Sequence, residues 1–132
     1  MAPMNRRRLF LCLALLAAPA IGLAEERKKG GGETFIQIQT LTATVIRPDG
    51  RRGVMTVEAG VDAPDAAVHE RALASTPRLR AAYAQILQIY AAGLPAGYAP
   101  NADYLSRELQ RQTDTVLGRP GARLLLGTIL VN

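Results

Sequence analysis

One histidine, His69, and one cysteine, Cys12, are all that the 132 residues contain of those two side chains. A lone cysteine forms no internal disulfide, and one thiol with one imidazole falls short of every zinc, haem or iron–sulfur site that needs several soft ligands. Most hydrolytic chemistry loses its parts with them, and no cofactor is expected. Charged residues make up 20% of the chain against 48% apolar, so neither a disordered tail nor a fibrous repeat fits. The length allows one domain around one core and rules out a second.

The first 24 residues read as an export signal, separate from the fold. Arg6, Arg7 and Arg8 form a basic start, Leu9 to Ala18 is an unbroken apolar run, Pro19 ends it, and Gly22-Leu23-Ala24 offers small residues before Glu25. Counted to Ala24, the apolar stretch spans roughly 24 Å as a helix, short of the ~30 Å hydrocarbon core, which disfavours a permanent anchor in the inner membrane. Arg7, Arg8, Phe10 and Leu11 compose an RRxFL sequence resembling the twin-arginine export consensus, with an arginine-rich general secretory signal as the alternative. Cys12 lies inside the apolar run without lipobox geometry. The expected location is the periplasm. Removal of the signal takes the basic count from 16 to 13 against 11 acids, so the net charge falls from +5 to +2. Nucleic-acid binding then loses its main support.

Glu25 to Glu33 (EERKKGGGE) has nothing apolar to bury and reads as a flexible leader. Its three glycines follow no strand and precede no GK[ST], so a phosphate loop is not indicated. The single domain is expected over residues 34–132. Thr34 to Arg47 alternates with period two and is rich in β-branched residues, a strand whose apolar phase changes near Thr40. A β-bulge there puts Ile36 and Ile38 on the same face as Leu41, Ala43 and Val45. Pro48-Asp49-Gly50 makes a turn, and Gly53 to Val61 returns as a second strand with Met55, Val57, Ala59 and Val61 inward.

Asp62 and Asp65 suit a helix start, Val68 and Leu73 lie on that helix, and Pro77 kinks or breaks it. Leu79, Tyr83, Ile86, Leu87 and Tyr90 resume at helical spacing until Gly93, Pro95 and Gly97. A last helix, capped by Asn101 or Asp103, buries Leu105, Leu109 and Val116 and stops at Gly118. After a turn at Arg119-Pro120-Gly121, the apolar run Arg123 to Val131 predicts a strand covered on both sides or central in the sheet. The expected fold is α+β: a β-hairpin, two or three helices and a C-terminal strand (β-β-α-α-β), with a three-stranded sheet and helices on one face.

His69 beside Glu70 has no cysteine or serine partner of recognisable spacing and reads as solvent-facing. Asp62, Asp65 and Asp103 are explained as caps, and Tyr83 and Tyr90 as core. The local basic clusters, Arg51 with Arg52 and Arg78 with Arg80, read by default as a solvated surface and, as the alternative, as a candidate interaction surface for an acidic protein patch or a lipid headgroup.

Thr34 to Asn132 resembles the periplasmic domain of the flagellar basal-body-associated FliL family. The likeness lies in the hairpin, the stretch Pro77-Arg78-Leu79-Arg80-Ala81-Ala82 with Ile86-Leu87, the amphipathic Asp103 to Leu109, and the closing Gly-Thr-Ile-Leu-Val-Asn. The resemblance implies an α+β domain of the stomatin type that self-associates near the flagellar stator and supports motor function, and the scarcity of catalytic side chains points to a non-enzymatic interaction domain. That family keeps an uncleaved transmembrane helix where this chain carries a short signal of cleavable type. A small periplasmic ligand-binding or carrier module is the alternative function.

Overall fold

The structure, a computed structural model, describes residues 32–132. The expected export signal, with Arg7, Arg8, Phe10, Leu11, Cys12 and Ala24, and the expected leader up to Gly31 lie outside the described residues. The remainder is an α+β domain in the order β1 (Phe35–Ile46), β2 (Arg52–Asp62), α1 (Ala66–Ala74), α2 (Thr76–Ala92), α3 (Ala102–Leu117) and β3 (Arg123–Val131). The strands form one antiparallel sheet in the order β1-β2-β3, and the helices pack on one of its faces.

The hairpin follows from its sequence. The β1–β2 register shifts between Ile38 and Leu41, where the apolar phase changes. The extra residue turns Ile36, Ile38, Leu41, Ala43 and Val45 all into the core opposite Met55, Val57, Ala59 and Val61. Gly50 takes a left-handed φ of 84° at the tip, its N–H donates to Arg47 C=O (2.8 Å), and Asp49 Oδ1 accepts from Arg51 N–H (2.9 Å). On the opposite face of the sheet Gly60 leaves room for the Phe35 ring, which a Cβ at that position would meet at 2.2 Å.

β3 is neither central nor covered on both sides. The central strand is β2, and β3 lies at an edge, with a second register shift opposite Val57–Ala59. Its apolar run has two origins. Leu124, Leu126 and Ile129 pack on the core side, whereas Leu125 and Leu130 occupy the bare face and stay 37% and 54% exposed.

Among the helices, Asp65 caps α1 by accepting from Val68 N–H (3.1 Å). Asp62 is no cap: it ends β2 and accepts a hydrogen bond from the Thr34 hydroxyl. The chain breaks at Ser75, and Pro77 sits in the first turn of α2, where its missing N–H costs nothing. Leu73 is exposed. Leu79, Tyr83, Leu87 and Ala91 form the buried stripe of α2 at four-residue spacing, with Ile86 and Tyr90 half-buried at its margin. Asn101 caps α3 by accepting from Tyr104 N–H (3.0 Å), and Gly118 closes it in the left-handed conformation. Its stripe is Leu105, Leu109, Thr113 and Leu117; Val116 is half-buried. A polar residue therefore occupies a core position, and its hydroxyl meets that of Tyr83.

Candidate functional site

Among the described residues no group of three His, Cys, Asp or Glu side chains could hold a metal ion. His69 is half-buried on α1 and its Nδ1 is shielded without a hydrogen-bond partner among the described residues, which corrects the solvent-facing expectation. The arginine pairs do not converge. Arg51 and Arg52 are exposed at the hairpin tip, Arg78 donates to Ser75 Oγ (3.1 Å), and Arg80 donates to Thr40 C=O (3.2 Å). Thr40 lies six residues along β1 from Ile46, the partner of Arg52, or ~20 Å at strand rise.

The contact between Arg80 and Thr40 belongs to a different pattern, the treatment of the two sheet edges. On β1, α2 supplies Arg80 to Thr40 C=O and Gln88 Nε2 to Thr42 C=O (3.4 Å). On β3, α3 supplies one side chain. Gln110 Nε2 donates to Ala122 C=O (2.9 Å) while Gln110 Oε1 accepts from Leu124 N–H (2.7 Å). The primary amide thus bonds to the strand edge with both a donor and an acceptor, as a neighbouring peptide backbone does.

Beyond Gln110 no described strand pairs with the outer edge of β3. Val54 and Asn132 exchange both main-chain hydrogen bonds (2.9 and 3.0 Å), so the alternation of an antiparallel ladder aims Leu130 at β2 and turns Ile129 and Val131 outward. Leu124 N–H points outward to Gln110, and Leu126, two residues on, shares its direction. Gln110 is the only described side chain that hydrogen-bonds to the main chain of β3. Between this edge and the N-terminal half of α3 runs an open groove of 590 Å³. Asp103, Ser106 and Arg107 form its helical wall, and Arg123 to Gly127 its strand wall. Arg107 and Arg123 are both exposed and make no ion pair with another described residue, whereas Arg111, one turn on, is bound to Glu108 (3.0 Å).

Two other features complete the surface. A 390 Å³ cavity at the hairpin end is lined mainly by apolar side chains, including Val45, Leu94, Tyr98, Ile129 and Val131. The bare face of the sheet exposes Ile46, Val54 and Leu130. Among the described residues no helix is long and apolar enough to cross a membrane.

Gln110 was not identifiable from sequence as an edge-binding residue, since helical spacing places it beside the buried Leu109 but cannot show that a strand edge lies within its reach. Arg107 and Arg123 stand apart in sequence and form no visible cluster until α3 and β3 are adjacent. Set against known proteins, the chain matches no family model, no curated protein and no solved structure.

Proposed function

We propose that this chain is an exported, non-enzymatic protein-interaction domain of the periplasm, FliL-like in its role, that supports the flagellar motor or another envelope assembly by binding a protein. The observation that carries the reading is the β3 edge, which among the described residues is a nine-residue strand with outward main-chain groups and one protecting side chain, beside a groove in which two arginines have no described ion-pair partner. Edge strands left this open are a common template for strand addition. The export signal read from Arg7, Arg8 and the apolar run supports the location.

A second reading, a small-ligand carrier, is favoured by the apolar cavity between the 93–100 loop and the sheet. Native mass spectrometry of the tagged full chain recovered from the cell envelope separates the two. A complex heavier by the mass of another protein supports the interaction domain. Recovery alone, or with an added mass of only a few hundred daltons, contradicts it.

A further inference from the structure

We propose that the groove between α3 and β3 takes an extended peptide segment of a partner protein carrying an acidic side chain. Its backbone pairs with β3 from Leu124 to Leu126, and its carboxylate lies between Arg107 and Arg123. The proposal rests on the reading of the chain as an interaction domain and names the kind of partner that this domain binds.

Gln110 shows how the edge is used. Its amide occupies Ala122 C=O and Leu124 N–H with donor and acceptor together, so the start of the edge already holds the equivalent of one peptide group. The next outward groups along the strand, Leu124 C=O and Leu126 N–H, repeat the same spacing and face the groove. An extended backbone continues the pattern that Gln110 begins. Pairing ends at the register shift around Gly127 and Thr128, which limits the matched stretch to a few residues and leaves specificity to side chains.

Charge selects the occupant. Arg107 and Arg123 line the groove on its two walls, and Asp103 is the one acid among its described lining residues. A carboxylate completes this arrangement, and a bidentate pair with either guanidinium adds direction as well as attraction. A second copy of the chain fits less well, because β3 contains no Asp or Glu and would bring Arg123 toward the same positive groove.

The test uses purified full-length protein and a labelled, end-blocked octapeptide of alternating Val and Thr with one central Glu. Two control peptides carry Lys in place of Glu, or N-methyl groups on alternate amides. Fluorescence anisotropy should show saturable binding of the Glu peptide and about tenfold or greater weakening for both controls. Arg107→Glu should reverse the preference from the Glu to the Lys peptide, an inversion that a merely structural role for Arg107 would not produce. Ser106→Trp, which fills the groove from a half-buried helical position, should remove binding while the melting curve stays cooperative.

The absence of saturable binding to the folded protein overturns the proposal, as does equal affinity for the Glu and Lys peptides. Sedimentation as a dimer that excludes the peptide and dissociates on Ser106→Trp also overturns it, assigning the edge to a second copy. A partner complex in native mass spectrometry together with no peptide binding retires the groove while the interaction reading stands. The chain recovered alone from the envelope retires the reading itself.

Discussion

Tyr83 on α2 and Thr113 on α3 join the two long helices through a hydroxyl–hydroxyl hydrogen bond of 2.5 Å inside the core. Thr113 Oγ1 donates to Leu109 C=O (2.8 Å), so its one proton is committed and the Tyr83 hydroxyl is the donor to Thr113. Both side chains are fully buried, and neither oxygen has water as an alternative.

Tyr83→Phe should destabilise the domain by about 0.5–1.5 kcal/mol, the net worth of a neutral hydrogen bond. Thr113→Val in the Tyr83→Phe background should cost less than Thr113→Val alone, because the tyrosine hydroxyl is then no longer left without its acceptor. Chemical denaturation of the four proteins in the cycle measures the coupling.

Alkaline pH should weaken the fold through the same tyrosine. Burial, the largest cause, holds the Tyr83 hydroxyl above its ordinary 10.0, the Thr113 bond acts in the opposite sense, and the nearby Asp114 charge raises it further. The unfolded chain therefore releases this proton at lower pH than the native one. The contribution is fully present below pH 10 and is lost as pH rises through the higher native value. Denaturation midpoints across that range should fall more steeply for the wild type than for Tyr83→Phe.

Leu87→Ala should cost about 2–5 kcal/mol, since Leu87 is fully buried in the α2 stripe. The half-buried Ile86 should cost less on truncation, and the exposed Gln85→Ala under about 0.5 kcal/mol. Equal losses at Leu87 and Gln85 would mean that a different face of α2 is buried.

Gly60→Ala should destabilise by about 1–3 kcal/mol, because the new methyl group displaces the Phe35 ring and crowds Ile36 C=O at 3.0 Å. The penalty should shrink in a Phe35→Ala background, leaving the part that comes from the carbonyl. Thermal melts of the single and double variants check the difference.

Several elements were legible in the sequence because one physical signal dominated each. The phase change at Thr40 can be reconciled with a single buried face only by a bulge, and the register shift between Ile38 and Leu41 is that bulge. Pro48-Asp49-Gly50 carries its turn chemistry in three consecutive side chains. Pro77 marked an interruption, although the break itself falls at Ser75. The α+β order could be read because period two gives way to helical spacing and returns.

The remainder depended on tertiary contacts. An apolar run cannot distinguish burial on both faces from an edge strand whose outward side chains happen to be apolar, and Leu125 and Leu130 are the latter. Asp62 and Asp65 have equal capping chemistry; only the length of β2 assigns the cap to Asp65. Thr113 continues the four-residue spacing of Leu105 and Leu109, but nothing in the sequence shows that Tyr83 partners its hydroxyl. The groove residues Arg107, Gln110 and Arg123 were invisible for the same reason, as packing of α3 against β3 brings them together.

Amide hydrogen exchange along β3 in the purified full-length protein reads out, residue by residue, whether this edge is free. A free edge gives alternation in the free protein, with slow exchange at Leu125, Leu130 and Asn132, which face β2, and fast exchange at Leu126, Ile129 and Val131, which face outward. Adding the Glu octapeptide should slow Leu126 selectively. Equal protection of both rows in the free protein would mean that the β3 edge is already covered and not free to take a partner strand.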